Sequence, residues 1–317
     1  MSVMDSLKHL WDFSLDTLLL VSKVVYIVIR ETILNILPKK KKDISGEVVL
    51  ITGSAQGIGR QLAIQIARLG AKVVLWDINE TKLKETAEEI SQDAGNVSWF
   101  VCDVTSESDV NTKARLVEQK VGEVTILINN AGIMQNLPML ELSSEGIKKT
   151  IEVNLLSHFW TIRAFLPNME KKNHGHIVGV SSCAGLIGHV NQSDYSASKH
   201  GVIGLMEALS EELRLKESHI KTTTICPLTV NTGMNQNPIT RCFWMMPIVS
   251  VEDAVSQIIT AIRREDFIVT LPKRIKFGLC LARLLPHQVL SEVLDFTDYC
   301  RVKNSDLKRV FPERNRK

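Results

Sequence analysis

Tyr195 and Lys199 stand four positions apart in the segment Tyr195-Ser196-Ala197-Ser198-Lys199. If this segment is helical, side chains at that spacing lie on one helix face. A free tyrosine has a pKa of about 10, too high for an efficient base near neutral pH. A nearby ammonium group favours the phenolate and lowers that pKa. The pair could therefore take a proton from a bound hydroxyl, although many helices contain this spacing without a catalytic role.

Two further polar positions could complete a catalytic group around this pair. Ser182 lies 13 residues before Tyr195, just after a predicted strand. Its hydroxyl could donate a hydrogen bond to a substrate oxygen that gains negative charge, and Ser181 is the competing candidate. Asn154 lies in an apolar stretch of a predicted helix, where its amide needs a buried partner, such as a water molecule leading to Lys199.

A glycine-rich run lies between the first predicted strand and the first predicted helix. It reads Thr52-Gly53-Ser54-Ala55-Gln56-Gly57-Ile58-Gly59. Glycines let the backbone approach a pyrophosphate, which then meets the free N–H groups of a helix N-terminus. A glycine cluster alone is a weak signal, but its placement between strand and helix makes it much stronger. The expected dinucleotide-binding residues of this run are Gly53, Ser54, Gln56, Gly57, Ile58 and Gly59.

Asp77 follows Gly53 by 24 positions and ends the second predicted strand. A carboxylate there accepts hydrogen bonds from the adenosine ribose hydroxyls and repels a 2′-phosphate. Since positions 54–56 carry no Lys or Arg, we expect NAD rather than NADP. A solvated aspartate at a strand end would explain the position of Asp77 but not its spacing from the glycines.

Two later strand ends complete the predicted cofactor site. Asp103 and Val104 follow the third strand, where Asp103 could meet the edge of the adenine ring. Short polar side chains and a glycine follow the fourth strand and let the backbone pass close to the cofactor. The expected contacts there are Asn130, Ala131 and Gly132.

Strands and helices alternate from residue 46 onward. The predicted strands are 47–52, 72–76, 97–102, 124–129, 176–181, 221–226 and 268–270, and the predicted helices are 58–69, 80–92, 107–121, 145–170, 195–215 and 252–263. Strands separated by ten or more helical residues need crossover connections. The expected fold is therefore an α/β, doubly wound parallel sheet with helices on both faces.

Composition excludes several classes of protein. The chain has 317 residues and a net charge of only +3, so no general affinity for nucleic acid follows. Its six cysteines form no C-x-x-C pair, which favours reduced thiols and argues against a metal site. The eight scattered histidines are best explained as ordinary loop and core residues.

The first 43 residues differ from the rest. Residues 15–37 are mostly apolar but are interrupted by charged residues such as Lys23, Arg30 and Glu31, and Pro38 and four lysines follow. With no small-residue cleavage site in view, the segment should stay on the mature protein. It could enter or span a bilayer, lie in the interface as an amphipathic helix, or pack as a soluble helix. We expect residues 1–43 to be a membrane anchor with a basic linker.

Three Asn-x-Ser/Thr sequons begin at Asn79, Asn96 and Asn191. Two of them adjoin the predicted cofactor and catalytic residues, where a glycan would obstruct the site. Together with the unpaired cysteines, they favour a catalytic domain that faces the cytosol.

The combined motifs resemble those of the short-chain dehydrogenase/reductase family over residues 44–272. The resemblance rests on the following residues and motifs: TGxxxGxG, the NNAG segment, Asn154, Ser182, the Y-x-x-x-K pair and Pro227-Leu228-Thr229-Val230-Asn231-Thr232. The resemblance implies a Rossmann-type NAD-dependent enzyme, often oligomeric, with the tetrad Asn154, Ser182, Tyr195 and Lys199. It also implies that Pro227, Val230 and Thr232 close over the nicotinamide. Leu228 departs from the family, which usually has glycine there.

Further segments resemble the 16C group of that family, which includes epidermal retinol dehydrogenases and membrane-bound 17-beta-hydroxysteroid dehydrogenases. They are Leu37-Pro38-Lys39-Lys40, Leu75-Trp76-Asp77-Ile78-Asn79, His174-Gly175-His176 and Lys221-Thr222-Thr223. The group implies an endoplasmic-reticulum or lipid-droplet enzyme acting on a lipophilic alcohol. All-trans-retinol is the first candidate substrate and a hydroxysteroid the second; a non-catalytic, NAD-binding membrane scaffold is an alternative of another class.

Two apolar segments outside these motifs could contact a substrate. Residues 233–250 lie where a substrate lid is expected and contain Met234, Phe243, Trp244, Met245 and Met246, which ordinary core packing explains nearly as well. Residues 273–317 are expected to form a helical and basic C-terminal extension that touches substrate or membrane.

Overall fold

The computed structural model describes residues 3–36, 40–232 and 247–297. It divides into two compact units, residues 1–42 and residues 43–317. The strands of the second unit are β1 (Val48–Thr52), β2 (Lys72–Asp77), β3 (Val97–Val101), β4 (Ile126–Asn129), β5 (His176–Val180), β6 (Lys221–Pro227), β7 (Thr229–Val230), β8 (Ile248–Val249) and β9 (Ile268–Leu271). Its helices are α2 (Gly57–Arg68), α3 (Glu80–Asp93), α4 (Glu107–Lys120), α5 (Ser144–Ile151), α6 (Ser157–Lys172), α7 (Ser193–Leu215), α8 (Val251–Arg264), α9 (Ile275–Leu284) and α10 (His287–Thr297).

Seven parallel strands form the central sheet in the order β3-β2-β1-β4-β5-β6-β9. Leu50 of β1 stands opposite Val74 on one side and Leu127 on the other. The chain winds outward from β1 in one direction and then outward from β4 in the other. A crevice therefore opens between the carboxyl ends of β1 and β4, the usual ligand position in such sheets.

Side chains of alternating direction bury both faces of the sheet. In β1, Val49 and Ile51 belong to the core cluster that includes residues of α2, α3 and α8, whereas Leu50 belongs to the cluster that includes residues of α4, α6 and α7. The strands read as continuous apolar runs because both faces are covered. This architecture confirms the predicted doubly wound fold.

The long helix predicted over 145–170 is interrupted. It consists of α5, a π-helical segment Glu152–Leu156, and α6. A π segment inserts one residue into the helical repeat and is frequent at functional sites. Asn154 lies within it. The apolar periodicity of the sequence continues through the segment, which is why it reads as a single helix.

The N-terminal unit contains the 34-residue helix α1 (Val3–Ile36), which begins before the apolar stretch 15–37. Among the residues that the structure describes, none of the helices combines the length and the apolarity that a bilayer crossing requires. Two helices, α9 and α10, lie within the C-terminal segment that begins at residue 273. The proposed lid residues Met234, Phe243, Trp244, Met245 and Met246 lie outside the described residues.

Candidate active site

A cavity of about 750 Å³ opens at the carboxyl ends of the central strands. Most of the predicted site residues line it: Gly53, Gln56, Gly57, Ile58, Asp77, Asp103, Val104, Asn130, Ala131, Gly132, Ser182, Tyr195, Lys199, Pro227, Val230 and Thr232. Ser54, Gly59 and Asn154 lie behind its wall rather than in it. The topology therefore brings together motifs that are up to about 180 residues apart in the sequence.

Glycine is required where the first loop meets the segment after β4. Gly53 has a φ of +65°, and a Cβ there would lie 2.8 Å from the Cα of Ala131. A Cβ on Gly59 would overlap the carbonyl oxygen of Gly53. Asn130 Nδ2 holds the two segments together by donating to the carbonyls of Thr52 and Gly53, at 3.0 Å each. The result is a side-chain-free cradle at the N-terminus of α2, which fits a pyrophosphate group.

Two polar residues of this loop already have protein partners. The buried Ser54 hydroxyl donates to the carbonyl of Trp76 at 3.2 Å and so holds the loop against β2. Gln56 accepts a hydrogen bond from Lys82 Nζ at 2.7 Å. Ser54 is therefore placed to support the loop, while Gln56 stays at the cavity wall.

Asp77 is held in place by two backbone amides. Its Oδ2 accepts from the N–H of Ala55 at 3.1 Å and its Oδ1 from the N–H of Asn79 at 3.0 Å. Each carboxylate oxygen retains a free lone pair toward the cavity. The residue can therefore accept the two ribose hydroxyls in the predicted way.

Asp103 has its own local partners at the next strand end. Burial opposes its charge, but two hydrogen bonds from Thr105 hold the pKa of its carboxyl below the usual value. The carboxylate stays ionised beside Val104 at the cavity wall. Because the Asp103 carboxylate already accepts two hydrogen bonds from Thr105, it has fewer lone pairs left for the edge of an adenine ring than the sequence suggests.

Ser182 and Tyr195 meet at the centre of the cavity. Both side chains line the cavity, and Ser182 acts to lower the pKa of the Tyr195 phenol. The Ser182 hydroxyl itself donates to the carbonyl of Pro227 at 3.4 Å. Ser182 also accepts from the N–H of Ala184 at 3.1 Å, so its hydroxyl is fixed at the end of β5. Ser181, the competing candidate, donates its hydroxyl to the carbonyl of Lys199 at 2.8 Å. The geometry therefore favours Ser182.

Lys199 lies one helical turn after Tyr195, as its spacing predicts. Its Nζ donates to the carbonyl of Val180 at 2.9 Å and lies 5.7 Å from the centre of the Tyr195 ring. Burial lowers the pKa of Lys199 to about 8. The ammonium is thus close to the phenol but anchored to the end of β5.

The pKa of Tyr195 differs from the prediction. Burial raises it to about 12, although the neighbouring Ser182 side chain acts in the opposite direction. At its position 5.7 Å from the ring, the Lys199 charge does not outweigh the desolvation of the phenolate. The structure therefore raises the pKa of this phenol, where the spacing to Lys199 predicts a decrease.

Asn154 has protein partners for its whole amide. Its Oδ1 accepts from the N–H of Ile133 at 2.8 Å, and its Nδ2 donates to the carbonyl of Ile133 at 2.9 Å and to Ser198 Oγ at 3.1 Å. A Cβ on Gly132 would lie 3.5 Å from both Asn154 Oδ1 and Lys199 Nζ. The amide therefore fixes the segment after β4 directly beside the lysine.

A buried carboxylate next to Tyr195 is one functional group that sequence reasoning missed. Asp194 accepts hydrogen bonds from Thr150 Oγ1 at 2.7 Å and from Gln135 Nε2 at 3.2 Å. Gly146 leaves room for Gln135, since a Cβ there would meet its amide. These contacts join the segment after β4, α5 and the start of α7. The only signal in the sequence is that Asp194 directly precedes Tyr195.

His189 and Gln192 are also new, since both line the cavity close to Tyr195. Burial lowers the pKa of His189 to about 4, so its imidazole is neutral. Both residues follow the short 3₁₀ turn Cys183–Gly185. The loop that carries His189 and Gln192 has no helical or strand periodicity. The sequence therefore does not show that these two side chains face the cavity.

Comparison with known proteins adds a family match. The sequence model of the short chain dehydrogenase family matches residues 47–241. A crystal structure of a short chain dehydrogenase/reductase from Burkholderia phymatum in complex with NAD superposes with a TM-score of 0.70 and 27% sequence identity, covering 76% of this chain and 94% of that one.

Curated relatives match over most of their length. Short-chain dehydrogenase/reductase family 16C member 6 of Bos taurus is 40% identical over 284 residues, or 89% of this chain and 90% of that protein. Estradiol 17-beta-dehydrogenase 11 of Homo sapiens is 39% identical over 88% of this chain and 92% of its own. Epidermal retinol dehydrogenase 2 of Mus musculus is 40% identical over 86% of this chain and 88% of its own.

Proposed function

The chain belongs to the short-chain dehydrogenase family and is an NAD-dependent oxidoreductase, and we propose that it interconverts a lipophilic alcohol and its carbonyl compound. The observation that carries this proposal is the placement of Ser182, Tyr195 and Lys199 in one cavity that also holds the glycine cradle. The cradle at the N-terminus of α2 and the Asp77 carboxylate fit NAD. When bound, NAD supplies the acceptor for a hydride from the alcohol carbon.

The side chains of this protein supply the proton chemistry. The phenolate of Tyr195 takes the proton of the substrate hydroxyl, and Ser182 donates a hydrogen bond to the same oxygen. With NAD bound, the Lys199 ammonium would hold the nicotinamide ribose and would favour the charged form of that phenolate. Asn154 holds the segment after β4 beside Lys199. An enzyme is therefore better supported than a non-catalytic scaffold.

The proposed substrate is all-trans-retinol, with a 17-beta-hydroxysteroid as the second candidate. Met134, Val153 and Leu228 give the catalytic end of the cavity apolar walls, which suit a long hydrocarbon or a steroid ring system. Relatives named for retinol and for estradiol are almost equally similar in sequence. Sequence identity therefore does not distinguish the two candidate substrates. Measurement of NADH formation with each of them does.

We expect NADH formation with all-trans-retinol to exceed that with estradiol by at least about tenfold in kcat/KM, a difference of about 1.4 kcal/mol in transition-state binding. The measurement uses the full chain in detergent micelles with NAD or NADP and a panel of retinoids and sterols. We expect NAD to be preferred, because Asp77 repels a 2′-phosphate. Turnover of estradiol alone would replace the retinoid assignment, and no turnover of any alcohol would defeat the proposal.

We further propose that the first unit attaches the protein to the endoplasmic reticulum or to a lipid droplet, with the catalytic unit facing the cytosol and assembling as a homo-oligomer. Support comes from α1, where apolar side chains such as Leu18 and Leu20 are 66% and 60% exposed. Apolar surface of this kind favours transfer out of water by roughly 25 cal/mol per Å².

Replacing Leu18, Leu20 and Val24 together by lysine should abolish flotation of the full chain with phospholipid vesicles, because each change puts a charge on the apolar surface of α1. The matched control is Leu215→Lys, an apolar residue of the catalytic unit that is 73% exposed. Flotation is measured on a density gradient. Co-flotation of the triple variant at the level of the control would contradict the anchor.

A further inference from the structure

No step of the proton chemistry described above uses the buried carboxylate that precedes Tyr195. Asp194 is the second residue of α7 and is only 5% exposed. It is not among the residues that line the cavity. Its Oδ1 is buried and has no hydrogen-bond partner in the part of the chain that the structure describes. Burying an oxygen in this way costs free energy, so a gain in stability does not explain the carboxylate.

The other carboxylate oxygen belongs to a triangle of hydrogen bonds between three side chains. Thr150 Oγ1 donates to Asp194 Oδ2 at 2.7 Å, and Gln135 Nε2 donates to the same oxygen at 3.2 Å. Gln135 Nε2 also donates to Thr150 Oγ1 at 3.2 Å, which closes the triangle. Thr150 is completely buried on α5. The carboxylate therefore ties the start of α7 both to α5 and to the segment after β4.

Tyr195 lies in the first turn of α7, directly after Asp194. The first turn of a helix has free N–H groups and frays unless side chains hold it. Gln192, the N-cap of α7, makes no capping hydrogen bond with its side chain, whereas the N-caps of α3, α4 and α8 do. The backbone that carries the phenol is therefore held at its N-terminal side by the contacts of Asp194.

The same contacts hold one wall of the cavity. Gln135 directly follows Met134, which lines the cavity. The residue before Met134 is Ile133, whose N–H and carbonyl are bonded to Asn154 at 2.8 and 2.9 Å. This wall is thus fixed by Asn154 at one end and by Asp194 at the other. Asp194 therefore joins the wall of the cavity to the helix turn that carries the phenol.

We propose that Asp194 is a positioning residue, which holds the Tyr195 phenol at its place in the cavity through its contacts with Thr150 and Gln135. This inference rests on the proposed dehydrogenase function and concerns a residue outside its proton path. The contacts carry the effect rather than the charge, because both donors are neutral and bond to a single oxygen. An asparagine amide also offers one such oxygen, whereas alanine offers none.

The kinetic experiment compares the full-length wild-type enzyme with Asp194→Ala and Asp194→Asn. We expect Asp194→Ala to lower kcat about tenfold, because a small misplacement of a reacting group is enough for such a loss. The Kd for NAD should stay within about twofold of the wild-type value, since the change lies outside the cavity. Asp194→Asn should recover most of the lost kcat. Wild-type kcat in folded Asp194→Ala, or an equal loss in both variants, would overturn the proposal.

Thr150→Val tests the same contact from its other side, since it removes one donor and keeps the shape of the side chain. It should lower kcat, and it should cause little further loss when added to Asp194→Ala, because both changes break one contact. The matched control is Thr86→Val. Thr86 is equally buried, but its hydroxyl donates to the carbonyl of Lys82 within α3 at 2.8 Å. Additive losses in the double variant, or an equal loss in Thr86→Val, would reject the proposal.

A measurement on the free protein separates this proposal from the proposed function. The chain has three tyrosines, Tyr26, Tyr195 and Tyr299, so NMR spectra with isotope-labelled tyrosine contain few signals, and Tyr195→Phe identifies the one from the cavity. That signal should shift in Asp194→Ala and keep its position in Asp194→Asn. An unmoved signal in Asp194→Ala rejects the positioning role, even if the enzyme oxidises alcohols. The expected shift in a chain whose wild type oxidises no alcohol rejects the dehydrogenase proposal instead.

Discussion

Tyr195→Phe should lower kcat for alcohol oxidation by about 10² to 10⁴-fold, the range expected for the loss of a general acid–base group. The substitution removes one hydroxyl from the cavity beside Ser182. The ring and its packing remain, so NAD affinity and thermal stability should change little. Steady-state kinetics, NAD titration and thermal unfolding of the same preparation provide the measurement.

The chain offers a matched control for this change. Tyr26 of α1 is 63% exposed and lies in the other unit, so Tyr26→Phe removes a phenol hydroxyl far from the cavity in sequence and leaves its walls intact. Its kcat should equal that of the wild type. If folded, NAD-binding Tyr195→Phe retained wild-type turnover, the assignment of the proton-transfer residue would fail.

Lys199→Met should inactivate the enzyme and stabilise the fold at the same time. The wild-type ammonium is buried, and its pKa of about 8 lies below the ordinary value of 10.5. The folded state therefore disfavours the charged form, and a methionine of similar length avoids that penalty. We expect kcat/KM to fall at least about 100-fold and the free energy of unfolding at pH 7 to rise by about 1–3 kcal/mol.

The pH dependence of this stability gain follows from the direction of the pKa shift. Between about pH 8 and 10.5 the folded wild-type protein binds fewer protons than the unfolded chain, so its stability rises with pH in that interval. The gain of Lys199→Met is full below pH 8 and disappears as pH approaches 10.5. Denaturant unfolding at several pH values measures it, with Lys221→Met, an exposed lysine, as the control.

An equal or lower stability of Lys199→Met at pH 7 would contradict this account. It would mean that the hydrogen bond from Lys199 to Val180, at 2.9 Å, offsets the whole cost of burying the charge. A stability gain without loss of activity would instead remove Lys199 from the proposed mechanism. The stability result and the activity result are independent, because unfolding is measured on the free protein and activity is measured during turnover.

The sequence predicts the fold well because the strands are continuous apolar runs and several helices begin with a capping side chain. Ser106, Asn79 and Ser250 accept hydrogen bonds from the third helical residues of α4, α3 and α8, as expected of N-caps. The π segment around Asn154 could not be predicted. It depends on contacts with Ile133 and Ser198, which are distant in sequence.

Placement of the catalytic residues follows from spacing, whereas their energetics do not. The four-residue separation predicts that Tyr195 and Lys199 share a face of α7. The cost of burial depends on the surrounding walls, and burial raises the pKa of Tyr195 where the sequence suggests a decrease. The choice between Ser181 and Ser182 likewise required the contact of Ser181 with the carbonyl of Lys199.

The hydrogen bonds between Asn130 and the glycine-rich loop have a consequence for how the newly made chain folds. Its side chain bonds to carbonyls 77 and 78 positions earlier, and β6 must still arrive to supply Pro227. During synthesis, the glycine-rich loop therefore leaves the ribosome long before the residues that it contacts have been made. Folding that depends on contacts between residues far apart in sequence is slow. Only the finished sheet can capture the dinucleotide, so cofactor availability should govern how much newly made chain escapes aggregation and degradation.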